Sequence, residues 1–210
     1  MMKKNGSIHT EVPVSIIHKP TLFDSENKEI KAKSNLSLYL YGAIIILSGI
    51  FLILSNYNSF NTLKLTLGIG LTIASAFAFL EALSREKKHV QLVYHRIHAT
   101  AMLIYGLSVI IFCNSFQMLQ YNTAFILIFY AFSEIIFCIT LFNLAENINY
   151  KIVMIRFSLG LIIGIATISL IYYKNSDLTM VLAGYGILFI LIGLNVLFYA
   201  PALKKGNYVS

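Results

Sequence analysis

The chain has 210 residues, of which 58% are hydrophobic and only 12% charged, with a formal net charge of +7. Soluble domains carry about 25% charged residues, so an ordinary soluble enzyme is excluded. The mean hydropathy of +0.75 predicts an all-α integral membrane protein with several spans.

The first segment, residues 1–35, mixes charges, two prolines and short apolar islands such as "VPVSIIH". It lacks the apolar content to fold alone and has no signal-peptide core. It reads as a flexible cytoplasmic tail, and the first membrane helix then acts as its own insertion signal. Six apolar runs follow, at 36–55, 62–83, 97–113, 123–143, 152–173 and 178–200. Each is near the roughly 20 residues that cross the hydrocarbon as a helix. The run at 97–113 is the shortest, and its start is open toward "VQLVYHRIH". The runs are apolar on all faces, not alternating as a membrane β-strand would be. The reading is therefore one domain, 36–203, of six transmembrane helices, with a short tail at 204–210.

Of the sixteen Lys and Arg, all but Lys64 and Lys174 fall in the tails and in the second and fourth connections. That tally includes Arg85, Lys87, Lys88 and Arg96 in one connection and Lys151 and Arg156 in the other. The positive-inside rule puts both termini in the cytoplasm. The positive charge is then a topology signal with some attraction to anionic headgroups. With no reading motif among the basic residues, nucleic acid is not an expected partner.

Small residues seven apart recur in every helix: Gly42 and Gly49, Gly68 and Ser75, Gly106 and Cys113, Ala131 and Cys138, Gly160 and Thr167, Gly186 and Gly193. Four of the first members follow a tyrosine, namely Tyr41, Tyr105, Tyr130 and Tyr185. The turns "NSFNTL" from Asn58, "NSFQML" from Asn114 and "NSDLTM" from Asn175 also repeat. Together these predict three repeated helical hairpins, 36–83, 97–143 and 152–200. In the middle hairpin the turn prefers Ala99 and Ala124 as first anchors, so its register stays open by one heptad. Residues seven apart share a helix face, and small ones let backbones approach closely, which drives packing in lipid. The stripe predicts a compact bundle and argues against a wide aqueous channel.

The segments "YGAIIILSGIFLIL" and "GYGILFILIGLNVLF", with their Gly-x6-Gly-like spacing in repeated hairpins, resemble the HdeD-like family of bacterial membrane proteins. The resemblance covers about residues 36–203. It implies a multi-pass inner-membrane protein linked to acid or envelope stress, with no known enzymatic reaction and no catalytic residues to carry over.

The sharpest chemical candidate is Glu134, an acid inside the apolar stretch "YAFSEIIFC". Three residues after Ala131 and four before Cys138, it shares the face of the small stripe. Intramembrane acids are functional hypotheses by default. Burial favours the neutral acid unless a partner compensates, and a neutral Glu donates a hydrogen bond to another helix. Thr72, on the corresponding face of the second helix, and Tyr105 are the expected partners. Glu134 is near midplane if its helix starts after "QMLQYN", and one heptad nearer the cytoplasm if the turn register holds. Only one repeat carries the acid, so a role requiring threefold symmetry is excluded.

His89, His95 and His98 lie in "REKKHVQLVYHRIHAT". They are candidates for pH sensing, or with Glu81 or Glu86 for a metal, but no complete ligand set at a known spacing is visible. The bland reading is a wet loop at headgroup level. Cys113 and Cys138 read as small buried hydrophobes. Asn195 is set to bond a further helix or subunit, and Glu81 to pair with Arg85 four residues on. No phosphate loop or nucleophile elbow is present, and no metal or cofactor is expected. "GYG" at 184–186 lies within a helix and lacks the flanking residues of a potassium filter.

The leading expectation is a non-enzymatic membrane protein acting by packing or partner contact. Its expected partners are the bilayer, anionic headgroups or another membrane protein, and a second copy of the chain. The alternative is a small transporter or channel with Glu134 as its proton or ion site, and a third is a membrane enzyme using the histidines.

Overall fold

The computed structural model describes residues 22–54, 59–83, 90–144, 150–172 and 177–205. They form six helices in chain order: α1 (Leu22–Ile53), α2 (Phe60–Leu83), α3 (Val90–Phe112), α4 (Phe116–Leu144), α5 (Tyr150–Tyr172) and α6 (Leu178–Lys205). There is no strand among the described residues. Five of the helices are long and apolar enough to cross a membrane, and α3 contributes a shorter apolar stretch, Arg96–Phe112. The chain is a multi-pass helical membrane protein.

Three boundaries differ most from the sequence reading, one of them the start of α4 at Phe116, seven residues ahead of the expected run at 123–143. The tail expected over 1–35 is helical from Leu22, because "FDSENKEIKAK" is rich in good helix formers that a hydropathy reading passes over. At the other end α6 continues to Lys205, past the limit set by hydropathy. The start of α3 at Val90 answers the open boundary there.

The repeated turn sequence has a specific job: it caps the even-numbered helices. Ser59 Oγ accepts from the Thr62 amide at 3.3 Å, and Ser115 Oγ from the Met118 amide at 3.2 Å. In the third turn the cap falls one position later in the motif, where Asp177 Oδ1 accepts from the Thr179 amide at 3.3 Å. A side-chain oxygen before the first helical residue satisfies an orphan N–H in this way. Leu63, Leu119 and Val181, four residues after each cap, are all buried. Phe60 and Phe116 meet edge to face at 5.1 Å.

All twelve residues of the small-residue stripe are buried. The helices they join are α1 with α6, α2 with α3, and α4 with α5, the first of these being the most extensive contact. A Cβ at Gly49 would lie 2.5 Å from the Gly186 carbonyl oxygen, and one at Gly186 would lie 2.5 Å from the Gly49 oxygen. Backbone here touches backbone, which only glycine permits. The α4–α5 contact is looser, since a Cβ at Gly160 would be 3.4 Å from the Ala131 oxygen. By contrast α3 meets α4, and α5 meets α6, along thin seams, although each pair is adjacent in sequence.

Candidate functional site

Where α3 and α5 begin and α4 ends, the apolar core gives way to a knot of polar side chains. Its centre is Glu134, fully buried on α4. Helix α4 already starts at Phe116, ahead of "QMLQYN". Glu134 therefore lies roughly 27 Å along the helix from the α3–α4 turn and roughly 15 Å from the other end, at 1.5 Å per residue. It is thus nearer the C-terminal end of α4 than the N-terminal end.

Four donors converge on its carboxylate. Arg156 of α5 gives Nε to Oε1, and Nη2 to Oε2 at 3.0 Å. Tyr94 of α3 gives its hydroxyl to Oε2, and Asn195 of α6 gives Nδ2 to Oε1 at 3.3 Å. The two-pronged contact from Arg156 is the geometry a planar guanidinium is built for. It also meets the condition under which a buried acid and a buried base are tolerated: each has the other, and the remaining lone pairs are filled.

Aromatic rings enclose the pair. The Arg156 guanidinium lies 5.0 Å from the Phe137 ring centre and 5.8 Å from that of Tyr94. Tyr94 and Phe137 stack at 4.1 Å. Such faces stabilise a desolvated cation. Asn195 Nδ2 also donates to the Tyr130 hydroxyl at 2.7 Å, which ties α6 to α4 a second time. His98 shares a hydrogen bond with Ser133 Oγ at 2.8 Å and meets the Tyr130 ring edge-on at 5.1 Å. Next to this knot is a cavity of about 20 Å³, lined by residues from all six helices, among them Tyr41, Tyr94, His98 and Arg156. That is room for about one water molecule. Tyr41 Oη and Asn195 Oδ1 are buried without a hydrogen-bond partner among the described residues.

The sequence reading places Glu134 on a packed face; in the structure it is fully buried, and its partners differ from those expected. Thr72 Oγ1 is spent on its own helix, bonding Gly68 O at 2.7 Å, and it packs against Gly106. The Tyr105 hydroxyl bonds Thr123 Oγ1 at 2.8 Å. Neither reaches Glu134. Among the histidines, His98 is buried inside α3 and not in a wet loop. His89 and the side chain of His95 lie outside the described residues, as do the side chains of Glu81, Arg85 and Glu86. Among the described residues no group of three or more His, Cys, Asp or Glu is placed to hold a metal ion. Both cysteines are free and buried, and Asn122 Nδ2 lies 3.0 Å from Cys113 Sγ.

Arg156 is the residue that sequence reasoning misassigns. It counts there as a loop cation next to Lys151. In fact it is buried in the second turn of α5 and belongs to Glu134. The available signal was its place within the apolar run "IVMIRFSLG". A base and an acid, each alone in an apolar run, are natural partners.

The fold and the site together define a helical membrane protein with an ion pair sealed in its bundle. Compared with family models, with curated proteins and with solved structures, the chain matches none.

Proposed function

We propose that this chain is a non-enzymatic protein of a bacterial inner membrane, acting by helix packing and contact with a membrane partner, as its resemblance to the HdeD-like acid and envelope-stress family implies. The observation that carries this reading is the closure of Glu134. The acid has no exposed surface, is bonded to three other helices, and adjoins a cavity that holds about one water. A permeation site needs a path for water or an ion, whereas a structural tie needs its groups satisfied.

The threefold hairpin repeat and the cytoplasmic termini are part of the same proposal. The three capped outer turns support it. So does the pairing of α2 with α3, α4 with α5 and α6 with α1, each between one hairpin and the next, although α1 also packs on α2 within its own hairpin about as extensively as α4 packs on α5. Tags at each connection test the orientation, and a periplasmic N-terminus overturns it.

One observation favours the transport alternative. Tyr41 lines the small cavity with a buried, unpartnered hydroxyl, so that a water there would extend the network around Glu134. Proton and ion flux into vesicles carrying the purified protein decides between the two. The packing account expects no flux above protein-free vesicles, for the native chain and for Glu134→Gln alike. Flux above protein-free vesicles in the native protein establishes the transporter, and its loss in a Glu134→Gln protein that is still folded, by its thermal unfolding, assigns Glu134 as the site.

A further inference from the structure

The thin α3–α4 seam is held from within the bundle, by Tyr105 on Thr123, His98 on Ser133 and Tyr94 on Glu134. Toward the outside it opens into a cleft of about 490 Å³, a volume typical of sites for small organic ligands. Its lining is mostly apolar, interrupted by Thr100, Ser108 and Asn122, and its outward apolar side chains are prominent: Ile104 is 63% exposed and Phe125 71%. Arg96 closes one end. This arginine is exposed and stands where the apolar stretch Arg96–Phe112 begins, the level at which a spanning helix meets the headgroups. No carboxylate among the described residues pairs with it, in contrast to Arg156.

We propose that this cleft seats one anionic glycerophospholipid, with its phosphate at Arg96 and one acyl chain laid along the α3–α4 seam past Ile104 and Phe125. Three requirements of such a ligand coincide here. A cation stands where the apolar stretch of α3 begins, a mostly apolar trough runs on from it, and the trough opens sideways so that a lipid enters from the bilayer. Basic pockets between helices bind acidic headgroups by the same combination. A zwitterionic lipid fills the trough equally well but gains less from the guanidinium, so the site discriminates by headgroup charge. The cleft lies apart from the Glu134 knot, and its occupancy does not depend on the packing or transport reading.

The chain contains no tryptophan, which makes a single introduced one a clean reporter. Ile104→Trp places it in the cleft. Ile187→Trp, on the lipid-facing side of α6 where the native residue is 54% exposed, serves as the control. Each variant is reconstituted in phosphatidylcholine vesicles containing a fixed fraction of either brominated phosphatidylglycerol or brominated phosphatidylcholine. The ratio of quenching by the two brominated lipids is the readout. One fixed cation at the surface corresponds to a preference of about fivefold for the anionic lipid. That preference is expected for the Ile104→Trp protein, with a ratio near one for the Ile187→Trp control. Adding Arg96→Gln to the Ile104→Trp protein brings its ratio down to that of the control, and adding Arg96→Lys retains most of it. Equal ratios for the cleft reporter and the control overturn the proposal, as does a preference that survives Arg96→Gln. Relief of quenching in the Ile104→Trp protein by added inorganic phosphate also overturns it, in favour of a free anion.

Discussion

Arg156 Nη2 stands 3.0 Å from Glu134 Oε2, and the two side chains are 6% and 0% exposed. Two charges that would each be costly alone in hydrocarbon sit face to face between α4 and α5. The pair also reaches α3 through Tyr94 and α6 through Asn195. It therefore joins helices that the close-packed glycines do not. The glycine contacts bind α1 to α6 and α2 to α3, while the ion pair draws α3, α4, α5 and α6 together.

Asn195 is the lever on α6. Because its amide serves both Tyr130 and Glu134, Tyr130→Phe is expected to cost about 1 kcal/mol of stability and Asn195→Leu about 2 kcal/mol. Thermal unfolding in detergent reads both. Thr72→Val, with no contact to the knot, should combine additively with either substitution.

The glycines should rank by how close the opposing backbone stands. Gly49→Ala and Gly186→Ala each push a methyl into a carbonyl oxygen 2.5 Å away, whereas Gly160→Ala meets the Ile135 side chain at 3.3 Å and the Ala131 oxygen at 3.4 Å, a contact the flexible Ile135 relieves by a small shift. Overpacking of the first kind costs about 1–3 kcal/mol or more. The melting temperature should fall markedly for the first two variants and little for the third. Equal losses at all three would mean that α1 and α6 do not cross at these glycines.

Capping at the turns before α2, α4 and α6 has its own signature. Ser59→Ala and Ser115→Ala each remove one acceptor from a helix start, at about 1 kcal/mol. Asp177→Asn keeps the acceptor and should be close to neutral, whereas Asp177→Ala should behave like the serine variants. Chemical denaturation of the four proteins side by side checks the set.

How much of this was legible in the sequence depended on whether the signal was local. Glu134 stood out because a lone acid in an apolar run needs a reason. The small stripe marked a face of each helix, because period and residue size are local facts. Neither could say which helix lies opposite, since periodicity gives a direction and not a neighbour. Thr72 and Tyr105 were reasonable partners on that footing, and each is satisfied elsewhere. Arg156 was hidden by its nearness to Lys151 in sequence. His98 was hidden by the charges of "REKK", which give its segment the look of a loop. The turn motif was visible as a repeat, but its capping chemistry emerged only when Ser59 and Ser115 were seen to accept amide hydrogens.

The central claim is that Glu134 is a structural tie that works through Arg156. A double-mutant cycle on unfolding stability, comparing Glu134→Gln, Arg156→Met and the combination, tests it most directly. Leaving either charge buried without its partner is expected to cost about 3–5 kcal/mol, and removing both should cost less than the worse single variant. Losses that simply add, or a Glu134→Gln protein as stable as the native one, would contradict the account.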